Sequence, residues 1–445
     1  MSNPKFKNYG SARVTGPNLN LPVSRQSLSS LRFEALSKTL PSAAGNVAFN
    51  QTANLQPNKF ACTVKKEEEG HFAAIRLVVV NRGAAAMPSV SALVGVTETA
   101  EFSTSQLLST PTINGVSYPV LSGAADTNGF KAVTWGGAPT TPVPPAPTMQ
   151  KLALSDWVHK SSVPRTDGGT RPFSIIRPYA DGTVQPVPYM SYYTSALQTP
   201  QPAMRGRVIQ ASNANADAVS IPATAMNAAA LPSSILCLEV FPIFRYINPV
   251  CSVWLNTDST GAGDSLVSDR ISNWLNRACY DISTMDRPVV AANLGCSGIK
   301  STDYTAVLKE WLDAGVPPPS VLVYLPASVN DAGYDLAVQE RQYSQALAVA
   351  KLCYDYRIPH LFMYGLLPND GLTITQDNFR KSTNRKMEAL AKSIGATWLD
   401  FSAVGDGASP ERFRPEYKFD ALHENEAAIE AIFAPVLALA LSRVN

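Results

Sequence analysis

The residues of this chain that can do chemistry are few and lie in its second half. Ser259 stands where the β-branched and aromatic run Val250 to Leu255 breaks into Thr257-Asp258-Ser259-Thr260-Gly261-Ala262-Gly263. A serine hydroxyl is a poor nucleophile until a base takes its proton, and imidazole is the usual base near neutral pH. Of the four histidines, only His423 sits in a polar stretch directly before a helical pattern in this half. Asp420, three residues ahead of it, can orient the ring and stabilise its charged form. Acyl transfer also needs preorganised donors for a tetrahedral oxyanion, and removing one costs about 3 kcal/mol. The amides of Ser259 and Gly298 and the side-chain amide of Asn330 can supply three. Taken alone, Asp258-Ser259-Thr260 is more simply a helix cap. Four polar stretches in order, each at a strand end or before a helix, shift the balance to a nucleophile.

These residues need a scaffold, and the pattern from Pro249 onward supplies one. Strands are expected at Val250-Leu255, Val289-Leu294, Ser320-Tyr324, His360-Tyr364 and Thr397-Phe401. Helical periodicity is expected near 264–280, 302–314, 335–356, 376–394 and 424–442. Alternating strands and helices imply a parallel sheet covered on both faces, a doubly wound α/β domain over 246–445. Such folds place ligands at the carboxyl ends of the strands, where these polar stretches fall.

The first half reads differently. From Phe60 to about Arg245, short runs separated by Gly, Pro and Asn predict a β-rich domain over 46–245, a sandwich or jelly roll. Ala138 to Thr148 reads as a polyproline-like loop or linker. Trp135, Trp157, Tyr179, Tyr189, Tyr192 and Tyr193 can form either a sugar-stacking face or ordinary sandwich core. Residues 1–45 form a polar arm with a short helix expected around Leu28 to Leu40. An arm of this kind gains order by packing on a partner subunit or larger assembly, so a homo-oligomer or assembly through 1–45 is expected.

Composition narrows the classes. Charged residues make up 16% of 445, and the formal net charge of +2 offers no electrostatic case for nucleic acid. The mixed run Lys65-Lys66-Glu67-Glu68-Glu69 reads as a solvated turn. None of the six cysteines forms a C-x-x-C pair, so neither a zinc site nor any other metal or cofactor is implied. Cys237, Cys251 and Cys353 lie in apolar runs and read as buried reduced thiols. No secretory signal and no membrane-length apolar run is present, so a soluble protein with no membrane partner is expected.

Together the four stretches resemble the SGNH hydrolases, also called GDSL-type esterases, over roughly residues 249–442. Thr257 to Gly263 matches the first block of that family and implies Ser259 as nucleophile. Asn293 to Gly298 matches the second, where the glycine five residues after the Asn donates its amide, hence Gly298 and not Gly295. Ser328-Val329-Asn330-Asp331 matches the third, pointing to Asn330. Asp420-Ala421-Leu422-His423 matches the last, D-x-x-H. The resemblance implies a flavodoxin-like three-layer domain and hydrolysis through an acyl-enzyme, with an oxyanion hole of Ser259, Gly298 and Asn330. Two positions depart: Thr257 and Ser328 stand where the family has glycine, and both add bulk expected near the oxyanion site. The literal Gly263-Asp264-Ser265-Leu266 follows no strand, so Ser265 reads as a capping residue. No G-x-S-x-G elbow is present.

Within this family an appended β-rich domain often accompanies carbohydrate substrates, which makes O-acetyl groups on a polysaccharide the expected ester. The alternative is a virion protein, tail- or capsid-associated, that retains the fold as a structural or glycan-binding element. Low charge, abundant Ser, Thr, Asn and Pro, and the polar arm suit it.

Overall fold

A computed structural model describes residues 32–38, 55–56, 59–83, 85–97, 112–113, 116–117, 131–146, 148–159, 173–181, 187–188, 190–193, 206–211, 234–263, 273–331 and 333–444. The strands that matter for the site are β1 (Arg32–Leu36), β2 (Phe72–Asn81), β3 (Lys151–Leu154), β4 (Val158–His159), β5 (Val240–Asn256), β6 (Val289–Asn293), β7 (Val321–Tyr324), β8 (His360–Tyr364) and β9 (Thr397–Leu399). The helices are α1 (Ser259–Ala262), α2 (Trp274–Ile282), α3 (Tyr304–Asp313), α4 (Leu336–Asp355), α5 (Ile374–Ser393) and α6 (Ala434–Leu441).

β5 is 17 residues long and works in two halves. Val240 to Tyr246 pairs antiparallel with β2, and Ile243 to Val250 pairs antiparallel with β1. Beyond Val250 the same strand pairs in parallel with β6 on one side and β7 on the other. β8 and β9 extend the parallel part, giving the order β6-β5-β7-β8-β9. Numbered along the chain that is 2-1-3-4-5, the flavodoxin-like order. The expected doubly wound sheet is therefore present. The expected domain boundary, 245/246, falls inside β5, at a register shift against β2 but within one continuous strand.

Both faces of the parallel half are buried, which is why its strands read as near-continuous apolar runs. Trp254, Val290, Leu322 and Met363 point to a core with Trp311 of α3, Val349 of α4 and Leu390 of α5. Val253, Leu255, Val323 and Phe362 point the other way, onto Trp274 of α2 and Leu437 of α6. Helix starts follow local chemistry. Asp335 accepts from Val338 N–H at 2.9 Å, and Thr373 and Gln376 form a reciprocal capping box on α5. The last helical stretch, from Glu426 through α6, contains a π turn at Ile429–Phe433.

A second, antiparallel sheet runs in the order 206–211, 59–67, 173–181, 87–97, 131–132, with Thr141–Val143 also paired to the 87–97 strand. The 138–148 stretch is thus no free linker. Asn81 Nδ2 donates to the carbonyls of Val143 and Pro144 at 3.2 and 2.8 Å and pins it to the end of β2.

Several sequence-based expectations need correction. The helix expected around Leu28 to Leu40 is a strand over Arg32–Leu36, because the half of β5 lacking a parallel neighbour offers it an edge to pair. The charge run does not end in a solvated turn. Glu68 and Glu69 are buried, and Glu69 accepts from Ser37 Oγ at 2.7 Å and Tyr246 OH at 2.9 Å. Hydroxyl donors replace the water that a buried carboxylate loses. Trp135 is buried, and the Trp157 ring lies under the Arg245 guanidinium at 4.3 Å, so neither forms an open stacking face. Tyr189 lies outside the described residues, as do the side chains of Tyr192 and Tyr193 and the remainder of the 1–45 arm. Cys251, Cys279, Cys296 and Cys353 are buried thiols outside any disulfide. The side chain of Cys237 lies outside the described residues.

Candidate active site

The parallel strands end at one edge, and the loops that leave them there carry the candidate residues. After Asn256 the chain cannot continue as a strand: Asp258 caps α1, accepting from Thr260 N–H at 3.0 Å and Thr260 Oγ1 at 2.8 Å. This places Ser259 as the first helical residue, 8% exposed. Its Oγ lies 3.1 Å from His423 Nε2, across 164 positions of sequence. The other ring nitrogen, Nδ1, lies 2.9 and 3.1 Å from the two oxygens of Asp420. A carboxylate can only accept, so Nδ1 carries the proton and Nε2 is left as the acceptor that faces the serine.

Asp420 organises its own loop. It accepts from the N–H groups of Leu422 and His423 at 2.7 and 2.8 Å. Burial pushes its carboxyl upward, but the His423 ring and these two amides outweigh that and hold it below the usual carboxylate range. The Asp420 side chain is 46% exposed and that of His423 16%, so the acid–base half of the site is open to solvent.

The nucleophile half is closed. Asp258 is fully buried, and burial pushes its carboxyl above the usual range, against four donors that favour the charged form. Two of those donors come from the loop after β7: Ser328 Oγ at 2.8 Å and Val329 N–H at 3.2 Å. Ser328 Oγ also lies 2.9 Å from the Ile299 carbonyl and accepts Asn330 N–H at 3.1 Å. Asn330 Nδ2 donates to the same Ile299 carbonyl at 3.0 Å. One amide hydrogen of Asn330 is thus committed to the Ile299 carbonyl. Ile299 follows Gly298, which is exposed and holds φ +79°, a left-handed conformation that glycine adopts without strain. Ser259, Gly298 and Asn330 therefore lie on loops tied to one another.

The two residues that stand at glycine positions are both buried and hydrogen-bonded. Thr257 is fully buried beneath α1, with its Oγ1 2.7 Å from the Tyr364 hydroxyl on β8. A Cβ on Gly261 or Gly295 would stand 2.6 or 2.9 Å from Thr257 Cγ2, so those two glycines make the room it occupies. Ser328 is a tie between two loops, as its hydrogen bonds show. Their roles were not legible in the sequence, because the partners Tyr364 and Ile299 are distant along the chain. The decoy Ser265 lies outside the described residues. His360 begins β8 as expected, half-buried and away from the serine. No group of three or more His, Cys, Asp or Glu suited to a metal ion occurs among the described residues.

No family model matches the sequence, and no curated protein does. Among solved structures, similar ones include a GDSL-like lipase from Bacteroides thetaiotaomicron, at 15% identity over 44% of this chain and 89% of that one, TM-score 0.34. A member of the lipolytic protein G-D-S-L family from Veillonella parvula matches at 14% identity over 43% of this chain and 98% of its own, TM-score 0.33. The lipase/acylhydrolase from Enterococcus faecalis matches at 15% identity over 43% and 95%, TM-score 0.32. What this site can do follows from its own residues and distances.

Proposed function

We propose that the chain is a serine esterase. The observation that carries this is the line Ser259 Oγ, His423 Nε2, His423 Nδ1, Asp420, with spacings of 3.1 and 2.9 Å. In the first step Ser259 Oγ bonds to the ester carbonyl carbon while its proton passes to His423 Nε2. The oxyanion draws on the Ser259 and Gly298 amides and the remaining Asn330 amide hydrogen. His423 then protonates the leaving alkoxide as the C–O bond breaks, leaving the acyl group on Ser259. Water, deprotonated by the same nitrogen, attacks the acyl carbon, and His423 returns that proton to Ser259 Oγ as its bond to the acyl group breaks and the acid leaves. Asp420 stabilises the imidazolium of both steps.

The substrate reading is an O-acetyl ester on a polysaccharide. An open acid–base loop suits a bulky alcohol leaving group. A groove of about 690 Å³ runs along α5 and β9 from Leu366 and Pro368 to Lys392 and Trp398; its lining includes none of Ser259, Asp420 and His423. That volume is in the range of organic-ligand sites. The groove's Leu366 loop also carries Asp370, whose N–H donates to Ala421 of the His423 loop at 2.8 Å. The β-rich region over 46–245, read as a sandwich or jelly-roll module, is the natural holder of the rest of a long glycan.

The test is p-nitrophenyl acetate hydrolysis by wild type, Ser259→Ala and Ser265→Ala, followed by acetate release from an O-acetylated polysaccharide and fatty-acid release from a long-chain ester. Loss only in Ser259→Ala supports the triad; loss only in Ser265→Ala overturns it. Release from the long-chain ester alone would replace the glycan with a lipid substrate.

A further inference from the structure

The N-terminal segment contributes a side chain to the back of the site. Lys38 follows β1 and is fully buried. Its backbone runs beside β6, donating to Ala291 O at 3.1 Å and accepting from Asn293 N–H at 2.7 Å. Its Nζ donates to the Asn293 carbonyl at 2.7 Å and lies 4.7 Å from the centre of the Phe241 ring. Asn293 is therefore gripped at both backbone polar groups by one residue from the start of the chain.

Asn293 is also the first residue of the turn that leads to Gly298. Its Oδ1 accepts Gly295 N–H at 2.8 Å, and its Nδ2 faces Gly261 O of α1 at 3.4 Å. Cys296 N–H donates to Thr257 O at 3.1 Å, so the turn and the nucleophile loop are stitched together immediately beyond Asn293. An apolar side chain could fill the same volume; a buried lysine is retained at a desolvation cost unless its nitrogen serves something.

We propose that Lys38 is a positioning residue for the esterase, holding the Asn293 carbonyl so that the turn beyond it presents the Gly298 amide to the oxyanion. This rests on the esterase reading. The groups around Lys38 are Glu239 ahead of β5, Arg82 after β2 and Cys296 after β6. Arg82 and Glu239 pair with each other at 2.6 Å. Burial lowers Lys38 to about 7, so near neutrality it is a mixture of ammonium and amine. Both forms carry an N–H for Asn293, so the positioning survives deprotonation.

The test compares wild type, Lys38→Met and Lys38→Gln in the full-length chain. Active sites are first counted with a fluorophosphonate probe, then kcat and KM are measured on p-nitrophenyl acetate per counted site. Lys38→Met is expected to lose ~10–100-fold in kcat with KM within twofold, as misplacement of a catalytic group by up to about 1 Å does. Lys38→Gln keeps an N–H donor and recovers part of the loss. If Lys38→Met does not fold, Lys38→Gln carries the test alone, with a loss of several-fold expected. Unchanged kcat per counted site in the folded variants overturns the proposal and leaves Lys38 an anchor of the N-terminal segment. Absence of probe labelling and turnover in wild type would instead overturn the esterase reading itself.

Discussion

The two halves of the candidate site are built in opposite ways. The nucleophile half is interior: Asp258, Thr257 and Ser328 are nearly or wholly buried, and their bonds run between loops that follow three different strands. The acid–base half is a single exposed loop, in which Asp420 bonds to its own near neighbours and to His423. A nucleophile has to be held against a fixed oxyanion hole, so rigidity there is bought with a buried carboxylate. The imidazole must accept and return a proton and let a leaving group depart, and an open loop permits both.

The contrast yields predictions in decreasing size. Ser259→Ala should lower kcat on p-nitrophenyl acetate by ~10⁵–10⁶-fold, as loss of a triad nucleophile does, with its melting temperature close to wild type. Asp258→Ala should instead lose stability, by about 3 kcal/mol in urea titration, because four donors in the interior lose their acceptor. A loss under 1 kcal/mol would mean that water reaches that interior and that the halves differ less than their burial indicates.

Asp420→Asn tests the open half. Loss of the carboxylate in a buried triad costs ~10⁴-fold. Here the side chain is 46% exposed and solvent screens the pair, so a loss of ~10–100-fold in kcat is expected, with only a small loss of stability. A ~10⁴-fold loss would show that the loop closes over substrate.

The smallest effect is in titration, read by the ¹³C carboxyl shifts of the two aspartates. Asp258 should titrate above the ordinary carboxylate value and Asp420 below it. For Asp420, folding favours the charged form: its contribution to stability is present above the ordinary value and lost as pH falls through the folded one. For Asp258 the sign reverses, and its contribution is full below the ordinary value and lost as pH rises through the folded one. Shifts in the same direction would break the contrast.

Much of the α/β half was legible because its signals are local. Near-continuous apolar runs marked β5 to β9 where both faces are covered. Helical periodicity expected near 335–356 and 376–394 falls on α4 and α5. Local rules failed where a distant partner decides. Glu68 and Glu69 read as surface residues, yet both are buried, with Ser37 and Tyr246 donating to Glu69 and Ser174 Oγ 3.5 Å from Glu68. Arg32 to Leu36 read as part of a short helix, and the free edge of β5 made a strand of it.

The sequence by itself determined which residue types stand at the strand ends and before the last helix: Ser259, Asn330, Asp420 and His423 are visible as polar breaks in apolar periodicity. Only the tertiary structure decided that Ser259 and His423 meet, that Thr257 turns down onto Tyr364, and that Lys38 reaches the second loop from the far end of the chain. Periodicity and capping are properties of a few adjacent residues. A hydrogen bond across 164 or 255 positions depends on how every intervening strand and helix packs.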